Sequence, residues 1–257
     1  MPIGILDSGV GGLTVCAAIV ERLPEVSTIY LGDSKNCPYG TKTEEEIWEL
    51  TKKLVEYLVS RNVGMIVVAC NTISVTALER LRTTYPSIQF IGTVPAVKTA
   101  VTESVRKRIG ILSTPRTAGS VYQRKLIEEF AADCFVLNLG SDKLTPLVEA
   151  GELDGERVMQ VLQTTLQPFI EAEVDVLVLG CTHFPFLKAP MQRILGNGVR
   201  ILDSGAAIAK QVERVLQAGP TQEEKTEHEF LTSGDPVQLT QLLHTMERFV
   251  TMQATAL

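Results

Sequence analysis

Short apolar runs recur along the chain, and each breaks into small or polar residues at its end. Ile3-Gly4-Ile5-Leu6 runs into Asp7-Ser8, Ile29-Tyr30-Leu31-Gly32 into Asp33-Ser34, Met65-Ile66-Val67-Val68 into Ala69-Cys70, and Val176-Leu177-Val178-Leu179 into Gly180-Cys181. Runs this short and this rich in branched residues read as strands buried on both faces. Between them lie longer stretches of helical periodicity, starting at Leu13 and over residues 44–61, 73–85, 117–132, 155–172 and 206–217. The second of these opens on Thr43 with Glu46 three residues later, the pattern of a capping box. Strands alternating with helices throughout predict βαβ units and parallel sheets.

The series then restarts. Arg108-Ile109-Gly110-Ile111-Leu112-Ser113-Thr114 echoes the first run, and Phe135-Val136-Leu137-Asn138-Leu139-Gly140-Ser141-Asp142 echoes the second. The run ending at Cys181 echoes the one ending at Cys70, and Val199-Arg200-Ile201-Leu202-Asp203-Ser204 echoes Phe90-Ile91-Gly92-Thr93-Val94-Pro95. These landmarks keep their order at an offset of about 105–111 residues, a period too long for a solenoid. We therefore expect an α/β protein of two pseudo-symmetric α/β domains with mainly parallel sheets and the active site in the interdomain cleft. The tail after Ser204 has no counterpart in the first half. It reads as one more helix, a polar link over 219–225, a strand over 227–235 and a final helix over 236–249. If the tail returns to the first half, the domains are residues 1–95 with 205–257, and residues 96–204.

Composition narrows the function. The 257 residues can bury a sizeable core. A net charge of −6 argues against the basic surface of a nucleic-acid binder. No apolar run reaches the length of a membrane span. A strand begins within a few residues of Met1, so no signal-peptide pattern is visible and a cytoplasmic location is expected. Five cysteines without a CxxC pair fit neither a disulfide framework nor a zinc cage, and free thiols are expected. None of the three histidines is spaced with a second His or Cys as ligands usually are, so no metal is expected.

In open α/β sheets, ligands bind beyond the carboxyl ends of the strands, which is where Cys70 and Cys181 fall. A lone cysteine is as often a small buried hydrophobe; the matched pair points to chemistry. Two facing thiols could form a redox pair, hold a soft metal or act as two acid/base groups. Redox pairs usually lie close together in sequence, and a soft metal would need more thiol or imidazole ligands. The third option uses the symmetry: one thiolate and one thiol hold base and acid at once, so a stereocentre between them can lose its proton on one face and regain it on the other. Asp7 or Asp33 beside Cys70, and His183 beside Cys181, are candidates for tuning the pair. No lysine sits in a cofactor motif, and no cofactor is expected.

The turn Asp7-Ser8-Gly9-Val10-Gly11-Gly12 leads a strand into a helix and would offer backbone N–H groups to an anion. Its spacing matches neither a dinucleotide fingerprint nor a P-loop, so a carboxylate fits better than a nucleotide. Ser8, Tyr39, Gly40, Asn71, Thr72, Thr114 and Thr182 supply hydroxyls, amides and N–H groups, and Asp7 could meet an ammonium. The set suits a zwitterionic amino acid with a second carboxylate.

Five motifs bring these residues together: Asp7-Ser8-Gly9-Val10-Gly11-Gly12, Gly32-Asp33-Ser34, Pro38-Tyr39-Gly40-Thr41-Lys42, Ala69-Cys70-Asn71-Thr72 and Leu179-Gly180-Cys181-Thr182-His183-Phe184-Pro185. In this order, over the whole chain, they resemble the bacterial glutamate racemases of the aspartate/glutamate racemase family. The resemblance implies cofactor-independent racemisation of glutamate, supplying D-glutamate for peptidoglycan synthesis. It implies Cys70 and Cys181 as the proton donor/acceptor pair, Cys70 acting on the D-enantiomer and Cys181 on the L-enantiomer. It also implies substrate binding by Asp7-Ser8, Tyr39-Gly40, Asn71-Thr72 and Thr182-His183, and a homodimer. Asp7 and His183 are expected to assist the chemistry, Thr114 to bind substrate and Asp33 to orient the site from behind. Racemisation of aspartate and simple amino-acid binding are the alternatives; the second would need neither thiol. Cys16 and Cys134 read as structural, Cys37 as a partly exposed thiol near the cleft mouth, and His228 and His244 as surface residues.

Overall fold

The computed structural model describes residues 1–216 and 226–257. Its first half runs β1 (Ile3–Asp7), α1 (Leu13–Arg22), β2 (Thr28–Gly32), α2 (Glu44–Ser60), β3 (Met65–Val68), α3 (Asn71–Thr84), β4 (Gln89–Gly92) and α4 (Val97–Glu103). Its second half runs β5 (Arg108–Ser113), α5 (Pro115–Ala118), α6 (Val121–Phe130), β6 (Phe135–Gly140), α7 (Leu144–Glu149), α8 (Glu156–Glu171), β7 (Val176–Gly180), α9 (Lys188–Leu195), β8 (Arg200–Leu202) and α10 (Gly205–Leu216). The tail adds β9 (His228–Thr232), α11 (Pro236–His244) and β10 (Ala254–Ala256).

The duplication is visible in the topology. One sheet has the order β10-β9-β2-β1-β3-β4 and the other β6-β5-β7-β8, and every pairing among the described residues is parallel. The core order β2-β1-β3-β4 in one half is the order β6-β5-β7-β8 in the other. In each sheet the order reverses at its founding strand, β1 or β5, and the switch point beside that strand is where parallel sheets bind ligands. Strands β1, β2, β3 and β7 are buried along their full length, which explains their unbroken apolar character. Apolar residues from both sheets pack into one continuous cluster, running from Ile5 and Leu13 to Leu179 and Phe184.

The halves also exchange a helix. After β4, α4 packs on β7 and α6 of the second half; after β8, α10 packs along α1 of the first. The repeat therefore extends one element further than the sequence pattern suggests, since α10 has its counterpart in α4. In the tail, β9 pairs with β2, with Thr28 opposite His228 and Gly32 opposite Thr232.

Local chemistry sets the element ends. Thr43 caps α2 through its hydroxyl while Glu46 reaches back to the Thr43 N–H at 2.7 Å, the expected capping box. The helix expected over 117–132 is two helices. Gly119 ends α5, and the Ser120 hydroxyl accepts from Gln123 N to start α6. The helix expected over 236–249 stops at His244 and resumes as a single tight turn over Glu247–Phe249. The polar link expected over 219–225 lies outside the described residues.

Candidate active site

Cys70 and Cys181 sit just beyond the equivalent strands β3 and β7. Both are buried, and both line one small pocket with about 260 Å³ of empty space including its mouth. Cys70 directly precedes α3, so Asn71 and Thr72 form the first turn of that helix. The Cys70 sulfur lies 3.3 Å from the Ser8 hydroxyl. Burial, with the negative Asp7 nearby, pushes the Cys70 thiol up to about 12, so it rests protonated. Cys181 has a different neighbour: its sulfur lies 3.7 Å from Nδ1 of His183 and 3.9 Å from the Thr145 hydroxyl.

His183 is buried, with Nε2 lying 2.5 Å from Oε1 of Glu149. Burial alone would disfavour its charged form. Hydrogen bonds to Cys181, Cys37 and Glu149 outweigh that and hold the imidazole well above its ordinary value. Burial would likewise raise Glu149, but His183 and the Val10 N–H hold its carboxyl below the usual range. The site therefore contains a buried imidazolium–carboxylate pair whose positive ring faces the second thiol.

The glycine turn after β1 does not act as expected. The N–H of Gly9 is taken by Asp7 Oδ1 at 2.9 Å, and that of Val10 by Glu149 Oε1 at 2.8 Å. The anion held by this turn is thus the protein's own Glu149. Close approach explains the glycines: a Cβ on Gly9 would fall 1.9 Å from Glu149 Oε1, and one on Gly11 would fall 2.4 Å from His183 Nδ1. Tyr30 donates its hydroxyl to the Gly9 carbonyl at 2.6 Å and fixes the turn from below.

Asp7 is fully buried at the end of β1, and its Oδ2 accepts from Thr182 Oγ1 at 3.0 Å. Burial raises its pKa to about 6; the His183 charge and the bonds from Gly9 and Thr182 moderate the rise. Asp33 is not hydrogen-bonded to Cys70. It accepts from Tyr39 OH and Ser233 Oγ, each at 2.5 Å, and from the Asn36 amide, so it bears on the pocket by orienting Tyr39. Tyr39 and Gly40 form part of the pocket wall.

On the opposite wall, hydroxyls converge. Thr72 Oγ1 lies 2.9 Å from Thr114 Oγ1, which donates to Thr117 Oγ1 at 3.0 Å. The Asn71 amide nitrogen lines the same pocket, buried, with no partner among the described residues. An unmet buried donor costs roughly 1–3 kcal/mol, which a ligand acceptor would recover. Buried hydroxyls and a free amide beside two thiols make a pocket suited to carboxylate groups.

Of the residues marked in the sequence, Ser8, Tyr39, Gly40, Cys70, Asn71, Thr72, Thr114, Cys181, Thr182 and His183 line this pocket. Asp7 touches it through Thr182, and Asp33 stands behind Tyr39. Thr117, Thr145 and Glu149 were missed. Thr117 lies on the four-residue α5, while Thr145 and Glu149 lie on the six-residue α7, which contains Pro146 and is too short for a helical period. Cys16 is buried in α1, and Cys134 is partly exposed just before β6. His244 is exposed, whereas His228 is half-buried and bonded to the Thr28 hydroxyl at 3.0 Å.

Fold and pocket define a class: duplicated parallel α/β proteins with one cysteine beyond the equivalent strand of each half. Comparison with known proteins gives that class a family. The sequence profile of the Asp/Glu/hydantoin racemases matches residues 3–212. The glutamate racemase of Herpetosiphon aurantiacus is 39% identical over 250 residues, covering 96% of this chain and 98% of that protein. Among solved structures, Escherichia coli glutamate racemase in complex with L-glutamate and the activator UDP-MurNAc-Ala superposes with a TM-score of 0.89 at 33% identity, covering 100% of this chain and 98% of that one. Francisella tularensis glutamate racemase in complex with D-glutamate superposes at 0.85 and 26%, covering 100% and 97%. The chain belongs to the Asp/Glu/hydantoin racemase family.

Proposed function

We propose that this chain interconverts L- and D-glutamate by passing the Cα proton between Cys70 and Cys181, without a cofactor. The observation that carries the reading is the placement of the two sulfurs: equivalent strand ends of two repeated halves, one shared pocket. With L-glutamate, the Cys181 thiolate takes the Cα proton, and the electron pair of the broken C–H bond delocalises onto the α-carboxylate. The Cys70 thiol then delivers its proton to the opposite face, giving D-glutamate, a Cys70 thiolate and a Cys181 thiol. The reverse reaction starts from that state. The protonated rest state of Cys70 supports its role as donor in this direction, and His183 Nδ1, 3.7 Å from the Cys181 sulfur, is placed to assist the second thiol.

The substrate reading rests on the pocket's donors and on the relatives. Asn71 and the Thr72–Thr114–Thr117 hydroxyls suit carboxylates, Asp7 suits an ammonium, and relatives named glutamate racemase are solved with each enantiomer. No helix among the described residues is long and apolar enough to cross a membrane. We further propose a cytoplasmic enzyme that supplies D-glutamate for peptidoglycan synthesis and acts as a homodimer. Its halves would be residues 1–95 with 205–257 and residues 96–204, a division supported by the pairing of β9 with β2. The test is polarimetric: purified chain without additives should racemise both glutamate enantiomers and turn over aspartate far more slowly. Faster turnover of aspartate would overturn the substrate, and inactivity with both would overturn the reaction.

A further inference from the structure

Cys37, Glu149 and His183 come from three distant stretches: the loop after β2, the last residue of α7 and the turn after β7. Their ligating atoms nevertheless all lie within 4.8 Å of one another. Cys37 Sγ is 3.9 Å from His183 Nε2, and Glu149 Oε1 is 2.5 Å from the same nitrogen. A thiol, an imidazole and a carboxylate meeting at one point are the donor types of three-ligand zinc sites, which leave a fourth position to water. Zinc bonds of about 2.0–2.3 Å set ligand separations at roughly 3.3–3.8 Å in a tetrahedron. The sulfur–nitrogen distance of 3.9 Å lies just above that range. The nitrogen–oxygen contact has to open by somewhat under ~1 Å, a small swing of the Glu149 side chain. Gly9 is what lets the two side chains come together here, since a Cβ there would fall 1.9 Å from Glu149 Oε1 and 3.1 Å from Cys37 Sγ. Glu149 and Cys37 keep partial access to solvent, so an ion has a route in.

We propose that Cys37, Glu149 and His183 form a binding site for a zinc-class divalent cation, and that its occupancy switches off proton transfer at Cys181. The ion takes the place of the proton between Nε2 and Oε1. Binding forms metal–sulfur, metal–nitrogen and metal–oxygen bonds, and releases the Cys37 thiol proton and the Nε2 proton to solvent. Opening the nitrogen–oxygen contact moves the ring whose Nδ1 lies 3.7 Å from the Cys181 sulfur, and so displaces the group that positions that thiol. The inhibitory consequence rests on the proposed function; the binding does not.

The test separates the two. The full chain is titrated anaerobically with Co²⁺, and thiolate-to-metal charge-transfer absorption is followed together with the ligand-field bands of tetrahedral cobalt. We expect saturation at one ion per chain, loss of the thiolate band in Cys37→Ser, and retention in Cys70→Ser and Cys181→Ser. Zn²⁺ should inhibit racemisation, a chelator should restore it, and Cys37→Ser, measured against its own metal-free activity, should be at least about tenfold less sensitive. A cobalt band that survives in Cys37→Ser, or disappears in Cys70→Ser or Cys181→Ser, overturns the site, as does no binding by the wild type. If Co²⁺ binds as expected but glutamate is not racemised, the site stands and the proposed reaction fails.

Discussion

Thr182 donates its hydroxyl to Asp7 Oδ2 at 3.0 Å, joining the turn after β7 to the end of β1 across 175 residues of chain. This bond connects the two halves directly beside the thiols, on a carboxylate that is fully buried. Burial raises Asp7 to about 6 from an ordinary carboxyl value of 3.8. Its favourable contribution to the fold is thus complete below about pH 4 and is lost as pH rises through about 6. Between those values the folded chain holds a proton that the unfolded chain has released. Asp7→Asn removes this penalty, which by the size of the shift is up to about 3 kcal/mol. In denaturant unfolding, the variant should gain stability relative to wild type as pH rises from about 4 to 7, while losing racemase activity. A stability difference that does not change with pH would contradict the account.

Glu149 holds the imidazolium that faces Cys181. Glu149→Gln keeps the shape and the bond from Val10 but removes the charge. We expect kcat to fall on the order of 10- to 100-fold in both directions, with a smaller change in KM, because the side chain touches His183 and not the pocket's carboxylate donors. Steady-state kinetics of both enantiomers measure it; a KM effect alone would place Glu149 in substrate binding.

Gly11 has no room for a side chain. Alanine there would put a Cβ 2.4 Å from His183 Nδ1 and 2.6 Å from Thr182 Oγ1, both on a turn packed in the core. Such overpacking costs roughly 1–3 kcal/mol, and the displaced ring should lower kcat as well. Gly198→Ala is the control, since its Cβ would meet nothing within 4 Å and should leave both stability and activity unchanged.

Thr72→Val deletes one hydroxyl of the Thr72–Thr114–Thr117 cluster and keeps the side-chain shape. Losing a hydrogen bond to a charged ligand costs about 1.5–3 kcal/mol, so KM for glutamate should rise roughly 10- to 100-fold with kcat changed less. Unchanged KM would show that the hydroxyls serve packing between α3 and α5.

The strands, the duplication and the two thiols were legible because each rests on a local signal: a buried apolar run, a repeated landmark, a polar break at a strand end. What stayed hidden depends on contacts distant in sequence. Glu149 meets His183 across 34 residues, and no spacing rule links them. Its helix α7 is six residues long with Pro146 inside, below the length at which periodicity speaks. Strand β10 is three residues, Ala254-Thr255-Ala256, and is specified only by its pairing with β9. The glycine turn was read correctly as a strand-to-helix connection but given the wrong occupant. Glycine permits both an open anion nest and close packing, and the tertiary contacts chose the second.

The central claim is that two sulfurs work from opposite faces of one carbon. The most direct test is racemisation of L-glutamate in deuterated water, stopped early, with Cα deuterium measured separately in the product and in the recovered substrate. Two thiols on opposite faces predict a D-glutamate product labelled from the first turnover and an L-glutamate pool that stays protiated, with the mirror result from D-glutamate. Equal early labelling of recovered substrate and product would mean that a single base serves both faces, and would contradict the pairing of Cys70 with Cys181.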